Sequence, residues 1–175
     1  MLKILDKEFV PYISAEDIQS RIKEMGAKIS TSYKGTKPLL ISVLNGSFIF
    51  TADLIRTIDT PIEVTFIRVA SYEALKTTGK VREILGLTEN VFGRDILILE
   101  DIVDTGTTLQ HLSEAFQDLG TKSIKVATLL HKPDAQEKAS KPDFVGFEIP
   151  NKFVIGFGLD YEGMGRELKE IYQLA

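Results

Sequence analysis

The stretch Ile96-Leu97-Ile98-Leu99-Glu100-Asp101-Ile102-Val103-Asp104-Thr105-Gly106-Thr107-Thr108-Leu109 decides how the chain reads. Four apolar residues, Ile96 to Leu99, form a strand buried on both faces, as strands of parallel sheets are. Two carboxylates, Glu100 and Asp101, follow at its carboxyl end. A third, Asp104, enters a short turn of Thr105, Gly106, Thr107 and Thr108, and a helix begins there. Hydroxyl residues and a glycine ahead of a helix expose backbone N–H groups, and the helix dipole adds partial positive charge. That combination is a phosphate cradle. Carboxylates beside it accept hydrogen bonds from sugar hydroxyls or hold a hard cation such as Mg²⁺. Both features together suit a phosphorylated sugar.

Outward from this stretch, the chain alternates strands and helices. Ser14-Ala15-Glu16-Asp17 reads as an N-cap with acids in the first turn, and Ile18, Ile22 and Met25 follow at helical spacing. Gly26 either ends that helix or is spanned by it. Pro38 to Val43 reads as a buried strand, Leu44-Asn45-Gly46-Ser47 as a turn, and the next helix reaches about Ile58. Ile62 to Val69 alternates as a strand, and Ser71 to Lys80 is polar and aperiodic, a mobile loop. Leu109, Leu112, Phe116 and Leu119 trace one helix face, with Gly120 as the stop. Ser123–Leu130, Phe144–Phe147 and Phe153–Gly158 are further strands. Such alternation predicts one α/β domain with a mainly parallel sheet and helices on both faces. Ligands in such folds bind beyond the carboxyl ends of the strands. The 96–109 loop, the 44–47 turn and the residues after Leu130 all fall on that edge.

Composition sets the outer limits. The chain of 175 residues, 43% apolar, reads as a single domain over 1–175 with a substantial core. A net charge of −4 argues against a broad nucleic-acid surface but leaves room for a local basic pocket. There is no cysteine, which excludes disulfides and thiolate metal sites. No apolar run approaches the ~18 residues of a membrane span. The start, Met1 to Asp6, is too short and charged for a secretory signal. A cytoplasmic protein with no membrane or nucleic-acid partner is the expectation.

Residues 98–108, Ile-Leu-Glu-Asp-Ile-Val-Asp-Thr-Gly-Thr-Thr, resemble the phosphoribosyl-pyrophosphate signature of type I phosphoribosyltransferases. Lys141 to Pro150, Lys152-Phe153-Val154 and Leu159-Asp160-Tyr161 narrow the likeness to the hypoxanthine-guanine phosphoribosyltransferases. Ser71-Tyr72 and the following Thr-Thr-Gly resemble the mobile active-site loop of that family. The likeness runs from about Leu39 to Leu174 and implies the type I fold with a small C-terminal base-binding hood.

The resemblance also implies roles. Asp104 would take or hold the purine N7 proton, whereas alone it would read as a helix cap. Glu100 and Asp101 would meet the ribose hydroxyls, in part through Mg²⁺. Successive strand residues face opposite ways, so one of the two would contact substrate directly. Asp104 and the turn Thr105, Gly106, Thr107 and Thr108 would hold the 5′-phosphate. Lys132 would donate to the purine O6, Phe153 would stack on the base, and Val154 would meet its edge. Asp160 would stand near the purine and hold a second Mg²⁺. Arg166, on a short C-terminal helix, would contact pyrophosphate together with Asn45, Gly46, Ser71 and Tyr72. The family usually has Leu-Lys-Gly where this chain has Leu44-Asn45-Gly46, and it places a cis peptide before the central residue. His111 and His131 are expected to be structural.

The implied substrates are phosphoribosyl pyrophosphate and a 6-oxopurine, the cofactor Mg²⁺, and the assembly a homodimer or homotetramer. A sibling transferase for xanthine, adenine or a pyrimidine, a non-catalytic sensor of the activated sugar and a receiver domain of a signalling system remain as alternatives.

Overall fold

The computed structural model describes residues 1–69, 84–135 and 141–175. Ser71, Tyr72 and the whole Ser71–Lys80 loop lie outside the described residues. In chain order the elements are β1 (Leu2–Ile4), β2 (Lys7–Ile13), α1 (Ala15–Ser32), β3 (Leu39–Leu44), α2 (Phe48–Ile55), β4 (Glu63–Val69) and β5 (Ile84–Leu85). There follow β6 (Asp95–Val103), α3 (Thr107–Asp118), β7 (Ser123–His131), β8 (Phe144–Glu148), β9 (Val154–Ile155) and β10 (Ile171–Leu174).

The apolar run of β6 splits by the two-residue period of a strand. Leu97 and Leu99 join a core with Ile18, Ile22, Met25 and Ile29 of α1 and Phe50 and Leu54 of α2. Ile96 and Ile98 face the other way, into a core with Leu109, Leu112 and Phe116 of α3. Each such side chain contributes roughly 1.5–3 kcal/mol through burial, so both faces of the strand are committed. The main sheet has the order β5-β4-β3-β6-β7-β8. Every pair from β4 to β8 is parallel, and β5 is an antiparallel edge. The expected parallel sheet with helices on both faces is the one found. Ser14 accepts a hydrogen bond from the Asp17 N–H at 3.1 Å, the cap read from sequence. Gly26 lies inside α1, where any Cβ would collide with Thr57 beyond α2. The glycine thus permits close helix packing.

Several elements differ from the sequence expectations. Strand β6 continues through Glu100 and Asp101 to Val103 because β7 keeps pairing with it, so the acids lie within the strand. Helix α2 stops at Ile55, three residues short of the expected end, where Thr57 turns back onto the Leu54 carbonyl. The 153–158 strand contracts to Val154–Ile155, because Gly156 and Gly158 adopt φ of +100° and +104°. Arg166 lies on no helix. Residues 160–170 form turns and bridges, with Gly163 and Gly165 at φ +82° and +94°.

The hood also differs. It is a four-stranded antiparallel sheet, β1-β2-β10-β9, half of it built from the first thirteen residues. Phe9 pairs with Leu174, so segments from opposite ends of the sequence close it. Ile4, Phe9 and Ile155 are its core, with Tyr161, Leu168 and Tyr172 packed against them. No helix among the described residues is long and apolar enough to cross a membrane.

Candidate active site

The carboxyl ends of β3 and β6 and the start of α3 enclose an open cleft of about 520 Å³. Its walls are Val43 to Gly46, Val69, and every residue from Glu100 to Leu109. Nine of the sequence-predicted site residues therefore meet there: Asn45, Gly46, Glu100, Asp101, Asp104, Thr105, Gly106, Thr107 and Thr108.

Gly106 has φ +79° and forms the N-cap of α3, and no side chain caps the helix. A left-handed residue at this point suits glycine and lets the backbone come close to a ligand. Thr105 and Thr107 bring their hydroxyls within 3.0 Å of each other. This is the built form of the cradle: first-turn amides, with the Thr107 N–H donating to Thr105 Oγ1 at 3.4 Å, and hydroxyls beside them. Asp104 does not cap α3. Its Oδ2 accepts from Lys132 Nζ at 2.9 Å. The Lys132 side chain is 8% exposed and that of Asp104 47%. A buried ammonium thus holds a carboxylate that stands half in solvent at the cleft.

Glu100 and Asp101 both line the cleft although they are neighbours in a strand. Burial pushes the Glu100 carboxyl well above the usual carboxylate range, and the charge and hydrogen bond of Asp101 push it further. Burial also raises Asp101, against the N–H groups of Ile102 and Asp101 itself and the charge of Arg166. Two desolvated acids side by side form an electrostatic deficit that a divalent cation relieves. Among the described residues no group of three His, Cys, Asp or Glu could hold a metal. Two carboxylates are what Mg²⁺ takes when phosphate oxygens and waters supply its remaining ligands, so this pair fits Mg²⁺ carried by a phosphorylated substrate.

The 44–46 loop is anchored from below. Ser42 Oγ lies 2.7 Å from both Ser47 Oγ and Thr51 Oγ1, and Ser47 donates to the Val43 carbonyl at 2.6 Å. All three hydroxyl residues are fully buried, which ties the end of β3 to the start of α2. The Leu44–Asn45 peptide is cis, as the resemblance implies. Gly46 is required by its neighbours, since a Cβ there would collide with the Asp101 carboxylate.

The hood closes against the same loop. A Cβ on Gly158 would strike the Gly46 carbonyl. Arg166 donates to the Gly158 carbonyl and pairs with Asp160, each at 2.6 Å, and the Gly163 N–H donates to Asp160. Asp160 and Arg166 do not line the cleft, but they fasten the segment that rests on it. Phe153 also stands outside the cleft walls, 43% exposed on the hood. Its ring meets Tyr161 edge-on at 5.9 Å and Phe9 at 6.2 Å. The adjacent Val154 is buried in β9. His131 is buried beside Glu148, at 3.9 Å, and His111 lies 4.0 Å from Glu114 on α3. Neither histidine lines the cleft. Sequence reasoning passed over Arg68, which donates to Asn45 Oδ1 at 2.7 Å. Its position at the carboxyl end of a strand was the available signal.

Residues 14–162 match the phosphoribosyl transferase domain. The chain is 49% identical over 160 residues to a hypoxanthine-guanine phosphoribosyltransferase of Bacillus subtilis (strain 168), covering 91% of this chain and 89% of that one. It is 46% identical over 157 residues to that of Lactococcus lactis, covering 89% and 85%. Among solved structures it is similar to a hypoxanthine-guanine phosphoribosyltransferase (hpt-2) from Bacillus anthracis. The TM-score is 0.87 with 35% identity, over 97% of this chain and 98% of that chain. A hypoxanthine phosphoribosyltransferase from Staphylococcus aureus gives a TM-score of 0.88 with 36% identity, over 97% and 92%.

Proposed function

The chain belongs to the phosphoribosyl transferase domain family, and from that premise we propose that it is a purine-salvage transferase. It moves 5-phosphoribosyl from phosphoribosyl pyrophosphate to hypoxanthine, and to guanine, giving IMP or GMP and pyrophosphate. The bond from the anomeric carbon to the pyrophosphate oxygen breaks, and a bond from that carbon to a purine ring nitrogen forms. The observation that carries this reading is the convergence, in one cleft, of a buried acid pair, an uncapped helix start and a loop without a charged side chain of its own.

The roles we assign rest on the cleft for its lining residues and on the family likeness for the others. Thr105, Gly106, Thr107 and Thr108 hold the 5′-phosphate on amides and hydroxyls. Glu100 and Asp101 orient the ribose hydroxyls and are the residues that would hold Mg²⁺. When bound, that ion neutralises charge on the departing pyrophosphate. Asp104 faces the charge that develops on the purine as its ring nitrogen attacks, and it accepts or shares the N7 proton. Lys132, already paired with Asp104, donates to the purine O6, while an exocyclic amino group offers that donor nothing. On the family likeness, Phe153 stacks on the base, Val154 meets its edge, and Asp160 would hold a second Mg²⁺. Asn45 and Gly46 face the pyrophosphate from the cleft wall, and the family likeness adds Arg166, Ser71 and Tyr72 to that group. Most of the acceleration then comes from positioning and fixed electrostatics. The family likeness supports a cytoplasmic homodimer or homotetramer.

The test is pyrophosphate release from phosphoribosyl pyrophosphate with hypoxanthine, guanine, xanthine, adenine and uracil, with and without Mg²⁺. Release with the 6-oxopurines, dependent on Mg²⁺, is expected. Turnover of xanthine alone would identify the sibling transferase, and tight binding without release would identify a sensor.

A further inference from the structure

Asn45 presents an amide to a cleft meant for an anion, and an amide has two unlike ends. Its oxygen repels phosphate oxygens, whereas its N–H₂ group donates to them. In this structure the oxygen is already taken. Arg68 Nη2 donates to Asn45 Oδ1 at 2.7 Å. The contact is set by the sheet, because Leu44 and Arg68 are register partners across β3 and β4. Asn45 lines the cleft, while Arg68 reaches it only through that amide.

The charge inventory sharpens the point. Lys132 is paired with Asp104, and Arg166 with Asp160. Among the described residues, the partner of Arg68 is the neutral amide of Asn45. A guanidinium on an amide oxygen polarises the amide and strengthens its two N–H donors.

Resting on the proposed transferase reading, we infer that Arg68 is a positioning residue for pyrophosphate. By holding Oδ1 it fixes the Asn45 amide with Nδ2 toward the cleft, so that a neutral side chain donates to the leaving group with a cation behind it. Neither Asn45 nor Arg68 performs this alone.

The experiment titrates magnesium pyrophosphate into the purified full-length chain by calorimetry. It also measures KM for phosphoribosyl pyrophosphate and for hypoxanthine. The proteins are wild type, Asn45→Asp, Asn45→Ala, Arg68→Met, Arg68→Lys and the Asn45→Ala/Arg68→Met double variant. Asn45→Asp keeps a partner for Arg68 but offers oxygen at both ends, so it should weaken pyrophosphate at least about tenfold. Arg68→Met should weaken it several-fold, Arg68→Lys should restore it to within about twofold, and the double variant should be no worse than Asn45→Ala. KM for hypoxanthine should stay unchanged throughout. The inference is overturned if Asn45→Asp binds pyrophosphate like wild type, or if the two single losses multiply. It is also overturned if hypoxanthine binding falls in step, which marks a merely structural contact. A wild type that releases no pyrophosphate with any base overturns the transferase reading instead, while the calorimetric comparison still decides the role of Arg68.

Discussion

Lys132 and Asp104 clasp each other at 2.9 Å, joining the end of β7 to the turn that leads into α3. The pair means that Asp104 is not spent on the helix and that its charge is held at the cleft. Asp104→Asn keeps the shape and removes the charge. It should lower kcat about 10²-fold or more while the affinity for phosphoribosyl pyrophosphate stays within several-fold. Steady-state kinetics in both substrates check this, and equal losses in the two parameters would assign Asp104 to structure alone.

Gly46 leaves no room for a side chain against Asp101. Gly46→Ala should displace that carboxylate or the loop and destabilise the fold by about 1–3 kcal/mol. Activity should fall much further, because the same shift misplaces the acids and the pyrophosphate loop together. Chemical denaturation alongside turnover separates the two effects. Normal activity in the variant would show that the loop yields easily.

The acid pair has a pH signature. Burial raises both Glu100 and Asp101, so the folded state holds their protons more tightly than the unfolded chain does. Stability from these groups is therefore complete below the ordinary carboxylate range and is lost as pH rises through the raised folded values. Glu100→Gln removes that loss. It should raise Tm at about pH 8 by roughly 2–4 °C, the shift that ~1 kcal/mol gives in a domain of this size. The gain should shrink toward zero as pH falls below about 4, where Glu100 is protonated folded and unfolded and is as neutral as Gln. Calorimetric melts across pH decide, and turnover should drop in the same variant. A gain as large in acid as at pH 8 would contradict the assignment.

Phe153 is exposed on the hood and touches the cluster of Phe9 and Tyr161 at its edge. Phe153→Ala should raise KM for the purine about tenfold, the order expected from one lost stacking partner. KM for phosphoribosyl pyrophosphate should hardly move, since that cleft is walled by other segments. Parallel changes in both constants would place the ring in the scaffold instead.

The sugar-phosphate half was legible because its signals are local. Ile96 to Leu99 reports burial on two faces, the acids follow directly, and Gly106 marks the left-handed N-cap of α3. The resemblance implied a hood, but its strand pairing was not legible. Strand β9 has two residues and β10 four, and β2 contains Pro11, which argues against a paired strand. The pairing of Phe9 with Leu174 spans nearly the whole chain, and no window of sequence contains it. A shift in register between Ile171 and Tyr172 lets β10 pass Pro11. Arg68 was missed for a related reason. In sequence it is one charge in an alternating strand, and only the parallel alignment of β4 with β3 brings it to Asn45.

The division between the two sheets has an evolutionary consequence. The cleft is encoded in a continuous inner part of the sequence, while the second sheet is woven from its outer segments. Substitutions in the outer segments can accumulate while the acid pair and the phosphate turn keep their frame, except at Asp160 and Arg166, which fasten the segment that rests on the Gly46 loop.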